Sequence, residues 1–206
     1  FSIQGRKTVL TESGEMILRR ANYLLDEAAK VEAIGQTLGE GIESKLRIAV
    51  DAIFPQQLLY KVLNDTSSQY PQLRIELHES VLMGGNELLE NDQVDIAITG
   101  FPIAANFHEE LCDIEFIAVA HPDHPLHAIE REITLEDLKS HRQIVVRDSA
   151  KKHKQDGGWL GADQRWTVTH MRTSIDMISN GLGFAWLPKI AIEKQLAAGQ
   201  MKALNL

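Results

Sequence analysis

At 206 residues, the chain is long enough for one large or two small domains with real cores. A net charge of −8 argues against a protein that coats nucleic acid with its whole surface, and no apolar run approaches the ~18 residues of a membrane span. The single cysteine, Cys112, excludes an intrachain disulfide framework and suits a reducing cytosol. The charge is uneven: Arg6, Lys7, Arg19 and Arg20 face only Glu12 and Glu15 in the first twenty residues. Phosphate contacts are therefore expected at the N-terminal end, on an otherwise acidic body. No signal-peptide pattern opens the sequence, and with Phe1 first a segment is expected to precede it.

The first predicted element is a long helix over "LTESGEMILRRANYLLDEAAKVEAIGQTL". Leu10, Ile17, Leu24, Val31 and Leu38 recur at every seventh position, with Gly14, Ala21, Ala28 and Gly35 in a second register between them. Thr11 is a suitable cap, with Glu12 and Glu15 at the positive end. Such a helix is roughly 40 Å long. The repeat reads as a coiled-coil seam between two copies of the chain, with Leu10, Ile17, Ala21, Leu24, Ala28, Val31 and Leu38 in it. An amphipathic helix lying on its own body is the rival reading. Gly35, Gly39 and Gly41 then mark the helix end and a linker.

The remainder reads as α/β. Leu46, Ile48 and Val50 alternate as in a half-buried strand, and Pro55 suits the first turn of a helix carrying Leu58, Leu59, Val62 and Leu63. "LRIELHES", a short helix at Glu87 to Leu89, and "VDIAITG" complete a parallel strand–helix pattern. The alternation resumes with "IEFIAVAH", a helix capped by Thr134 and Asp137, and "QIVVRDS". After a polar loop come "RWTVTH", a helix ending at Asn180-Gly181, "GFAWLP" and a helix from about Lys189 to Ala198. Two α/β subdomains are expected, meeting near residues 100–115, with ligands at the carboxyl ends of strands.

In this order and spacing, "RKTVLTESGE", the long helix, "LRIAVD", "YPQLRIELHES", "LLENDQVDIAITG", "HPDHPL", "ITLEDLKSHRQIVV" and "MISNGLGFAWLP" resemble a LysR-type transcriptional regulator. The resemblance implies a wing remnant over residues 1–10, with Arg6 and Lys7 as DNA contacts, and a dimerising linker helix over 11–40. It implies a periplasmic-binding-protein-like effector domain, with subdomain I over 45–113 and subdomain II over 114–206. The DNA-reading helix-turn-helix would precede Phe1, and a return of the chain to subdomain I would follow Leu206. Expected partners are a second copy (homodimer or homotetramer), a small-molecule effector and operator DNA, with no membrane.

For such a sensor, the strand-end candidates are Asp51 and Ala52; Thr99, Gly100 and Phe101; and Arg147, Asp148 and Ser149. Thr173 and Ser174 are expected to start a helix whose free N–H groups suit an anion. Arg147 or that helix end would receive a carboxylate, and Asp51 a donor group; the alternative for each is a structural ion pair or cap. His121, His124 and His127, with Asp123 between, invite a metal, but Pro122 and Pro125 make the stretch a turn rather than a ligating helix face. Cys112 sits among Glu109, Glu110 and Asp113, which do not lower a thiol pKa. Neither a nucleotide loop nor a catalytic signature stands out, and no cofactor or metal is expected. A two-lobed solute-binding protein and a cytosolic α/β enzyme are the alternatives. The first would stay monomeric with its helix intact, and the second would turn a ligand over.

Overall fold

The computed structural model describes residues 1–4, 7–39, 45–101 and 107–206. Arg6, the linker at 40–44 and part of the expected junction near 100–115 lie outside the described residues. Two compact units form: Phe1–Lys45 with Tyr70–Arg74, and Leu46–Gln69 with Ile75–Leu206.

In the first unit, an antiparallel hairpin of β1 (Ser2–Gln4) and β2 (Lys7–Val9) pairs Ser2 with Val9. Helix α1 (Glu12–Gly39) follows. The Thr11 hydroxyl accepts the Gly14 N–H at 3.2 Å and its carbonyl the Glu15 N–H at 2.9 Å, so the expected cap is made. Ile17, Ala21, Leu24, Ala28 and Val31 are exposed along it, and Leu10 is half-buried. Met16, Leu18, Tyr23 and Leu25 are exposed as well, so apolar surface extends beyond the heptad register.

In the second unit, β3 (Lys45–Asp51), β4 (Arg74–Ser80) and β5 (Ile96–Ile98) form a three-stranded sheet in the order β4-β3-β5. β3 and β5 run parallel with Ile48 opposite Ile96, as the strand–helix alternation requires. Helix α2 (Gln56–Gln69) begins one residue after Pro55, whose carbonyl accepts the Leu59 N–H at 3.1 Å. Short α3 (Gly84–Glu90) leads toward β5. Arg47 ties that segment to β3 through Asp95 and, at 2.8 Å, the Asp92 carbonyl.

The larger sheet contains β6 (Phe116–Ala120), β7 (Gln143–Val146), β8 (Arg165–Val168), β9 (Phe184–Pro188) and β10 (Lys202–Ala203). Their order is β10-β6-β9-β7-β8, with β6 antiparallel to β9 and β10, and β7 parallel to β8 and β9. Side chains alternate between two cores. Val119, Ala185 and Leu187 join Ile144, Ile175 and Ile178 on one face. Ala118, Ala120 and Phe184 join Leu126 and Leu138 on the other. Helix α4 (Leu135–Lys139) starts with the Thr134–Asp137 capping box read from the sequence.

One expectation near the C-terminal end needs correction. The helix expected over 189–198 is a 3-10 turn, Lys189–Ala191, followed by α6 (Glu193–Ala197), because Ile192 leaves helical geometry to bury itself fully. The stretch "MKALNL" contributes β10, and its Leu204 N–H reaches the Ala118 carbonyl at 2.8 Å. Gly183, just before β9, has φ +152, and an added Cβ would lie 2.3 Å from the Arg142 carbonyl oxygen. Gly183→Ala is therefore expected to cost about 2–4 kcal/mol through backbone strain and crowding. Urea unfolding measures this.

Candidate functional site

β4 ends at Ser80 and β7 at Val146, and the residues that follow the two strands meet. The Ser149 N–H donates to the Val81 carbonyl at 3.2 Å, and the Val81 N–H donates to the Ser149 hydroxyl at 2.9 Å. That hydroxyl also donates to the Val81 carbonyl at 3.2 Å. The contact is tight enough to require glycine at position 84, where a Cβ would lie 1.8 Å from the Ser149 oxygen. Nearby, Oε2 of Glu87 on α3 accepts the backbone N–H groups of Lys151 and Lys152, each at 2.9 Å. Buried Asp148 organises the same loop, its two oxygens accepting the Ala150 and Gln155 N–H groups at 2.8 Å each.

Beside these ties lies a cleft of about 440 Å³, lined among others by Glu79, Val81, Arg147, Asp148, Lys154 and His170. Among the described residues, the Arg147 guanidinium has no hydrogen bond or ion pair, whereas the His170 imidazole stands 3.8 Å from the Glu79 carboxylate. A second, open groove of about 640 Å³ shares Glu79, Ser149 and Lys151 with the cleft; Glu87, Leu88 and Lys152 also line it.

Of the residues singled out from the sequence, Arg147, Asp148 and Ser149 line the cleft. Asp51 is buried behind the strand ends, its carboxylate accepting the Ile53 N–H at 3.1 Å. Burial pushes that carboxyl up to about 6, against the Ile53 and Leu82 N–H groups that favour its charge, and the Asp148 charge adds to the rise. Ala52 donates its N–H to the Ser80 carbonyl at 2.8 Å and, with Ile53, packs on the core that contains Met171 and Ile175. Thr99 accepts the Phe101 N–H at 3.2 Å, and Gly100 lies next to Ile53.

Thr173 and Ser174 do not start their helix. α5 (Met171–Ser179) begins three residues before Ser174, whose N–H is already bonded to the His170 carbonyl at 3.3 Å. Thr173 is exposed in the first turn; Ser174 is fully buried, and its hydroxyl has no partner among the described residues. The N–H groups left over at this helix end belong to Met171, Arg172 and Thr173.

Three residues escaped the sequence reading. Val81 contributes backbone groups, which carry no side-chain signature. In the sequence Glu87 is only a helix residue, and nothing local distinguishes it from Glu90. Asn86 is almost fully buried and donates to the Phe101 carbonyl, fixing the end of the loop after β5. Its signal was available: a polar residue between glycines and leucines in "GGNELL".

His121 and His124 commit ring nitrogens to the Asp123 and Leu126 N–H groups, each at 3.3 Å. Among the described residues no group of three or more His, Cys, Asp or Glu could hold a metal ion, and no helix is long and apolar enough to cross a membrane. Cys112 is exposed and unpaired.

The family model of the LysR substrate binding domain matches residues 39–206. The HTH-type transcriptional regulator YhaJ of Escherichia coli O157:H7 is 26% identical over 210 residues, covering 100% of this chain and 70% of the relative. The HTH-type transcriptional regulator EstR of Acinetobacter baylyi is 24% identical over 194 residues, covering 91% of this chain and 64% of the relative. The chain thus spans about two thirds of the length of these relatives. CrgA, a LysR-type transcriptional regulator from Neisseria meningitidis, has a similar fold: TM-score 0.59 at 21% identity, over 99% of this chain and 70% of that one. So has the full-length Vibrio cholerae virulence activator AphB, at 0.59 and 18% identity, over 98% and 70%. With the family match running through both sheets of the body, the chain belongs to the LysR substrate-binding family and carries the effector-binding domain of a LysR-type transcriptional regulator.

Proposed function

We propose that the protein senses a small anionic metabolite in the cleft at the ends of β4 and β7, and that the bound ligand biases the relative orientation of the two sheets. The observation that carries this reading is the Arg147 guanidinium on the cleft wall, without a partner among the described residues, in a chain of this family. Arg147 receives a carboxylate or similar group, supported by the N–H groups at the start of α5. Asp51, Ala52, Thr99, Gly100, Phe101, Asp148, Ser149, Thr173 and Ser174 form the surrounding strand-end and helix-end shell. Within it Asp51 lies buried and holds the strand end through the Ile53 N–H. A ligand that prefers one sheet orientation tenfold shifts the balance by ~1.4 kcal/mol.

In this reading the bias passes through α1, whose exposed Ile17, Leu24 and Val31 seat against a second copy in a dimer or tetramer. Leu38 is the next position of the repeat in the sequence, and its side chain lies outside the described residues. DNA binding belongs to a segment outside this chain, with Arg6 and Lys7 touching phosphates. The protein works in the cytoplasm, without catalysis, cofactor or resident metal.

Three outcomes are expected. In a thermal-unfolding panel of small carboxylates, phosphates and amino acids, one chemical class stabilises the protein selectively. A ligand at 100 times its Kd adds about 2.7 kcal/mol, and Arg147→Ala removes the shift. No selective shift in wild type, or an equal shift in the variant, overturns the anion site. Replacing Ile17 and Leu24 together by Asp lowers the mass in analytical ultracentrifugation to that of a monomer. The third outcome concerns pH. The folded protein keeps a proton on Asp51 over about pH 4–6 that the unfolded chain has released, so this group's contribution to stability falls as pH rises through that window. Asp51→Asn, which keeps an acceptor for the Ile53 N–H, is expected to raise stability by about 2–4 kcal/mol at pH 8 and to change it little near pH 4. Urea unfolding at the two pH values measures the difference.

A further inference from the structure

Lys151 and Lys152 direct two successive backbone N–H groups at one atom, Oε2 of Glu87, at 2.9 Å each. Successive N–H donors converging on one point make a concave seat for an anion. Here the seat is already filled, and by a side chain from the other half of the body. The two lysine side chains stand exposed beside it, without an ion pair among the described residues. The Lys152 and Lys151 N–H groups and the two lysine charges hold the Glu87 carboxyl below the usual carboxylate range. The seat opens on the 640 Å³ groove, and neither Glu87 nor Lys152 lines the cleft that contains Arg147.

A carboxylate docked on paired N–H donors beside two exposed lysines is what a free oxyanion would look like in the same place. Glu87 differs only in being tethered to α3, which raises its effective concentration at the seat. A soluble competitor must outcompete that tether, or gain a second contact in the groove, to displace it.

We infer that the N–H pair of Lys151 and Lys152 is a second anion seat, plugged by Glu87, which a small ligand bearing a carboxylate or phosphate group occupies by displacing the plug. Displacement breaks the tie between the loop after β7 and α3 and leaves the Val81–Ser149 tie in place. The regulatory consequence, a loosened closure of the sensing cleft, rests on the function proposed above; the seat itself does not.

The test uses the full chain and two variants, Glu87→Ala, which empties the seat, and Glu87→Gln, which keeps a neutral acceptor on the same tether. Each is titrated with inorganic phosphate and, separately, with acetate at constant ionic strength, following the backbone amide resonances of residues 151 and 152. Glu87→Ala is expected to bind one of the two anions at least tenfold more tightly than wild type, with the largest shifts at these two amides, and Glu87→Gln at least threefold. Tighter phosphate binding assigns a phosphate group, and tighter acetate binding a carboxylate. Affinities equal to wild type in both variants, or shifts spread over other lysines while residues 151 and 152 stay still, overturn the seat. Arg147→Ala should leave these titrations within twofold while abolishing cleft binding, so failure of one site is separable from failure of the other.

Discussion

The exchange between Val81 and Ser149 is the constraint on which the body of this protein depends. The larger sheet could close its own core without it, since Val119, Ile144 and Leu187 pack within its layers. Neither sheet alone makes a cleft. The cleft exists because the chain leaving β4 and the chain leaving β7 share three hydrogen bonds, with Gly84 removing the atom that would hold them apart. Buried Asp148 at this meeting point is satisfied by its own loop, whose Ala150 and Gln155 N–H groups take both carboxylate oxygens.

This arrangement separates two kinds of contact between the sheets. Ala52 and Ile53 pack on the core beneath α5, an apolar contact that tolerates small slides. The ties at Ser149 and Glu87 are directional and are either made or broken. The second kind gives a ligand two distinct states to choose between, the bond made and the bond broken. The polar ties also place charge asymmetrically, with basic Arg147, Lys151, Lys152 and Lys154 all on one short loop and Glu79 and Glu87 facing it from the smaller sheet's side.

Much of this fold is readable in the sequence because its signals are local. The Thr134–Asp137 box, the Thr11 cap, the alternation of Ile48 and Val50, and the helix stop at Asn180-Gly181 each depend on neighbours within a few residues. The misses share the opposite property. β10 is two residues long and is a strand only because β6 offers a free edge. Ile192 interrupts a helical pattern because full burial outweighs local propensity. At the site, Arg147, Asp148 and Ser149 were legible as a strand end, whereas Glu87 and Val81 act across more than sixty residues of chain and leave no local trace. Asp51 was found for its position at the end of β3; its near-complete burial was not visible, and burial is what sets its protonation.

The central claim is that a ligand in the cleft changes the relative orientation of two sheets held by these ties. The most direct measurement places spin labels at Glu90 on α3 and Lys194 on α6, both exposed, in a chain carrying Cys112→Ser. The distance distribution is then recorded with and without the compound that stabilises the protein against heat. The account predicts two populations in the free protein and a shift toward one of them on saturation. A single distribution that is the same in both samples, with the compound demonstrably bound, would contradict it.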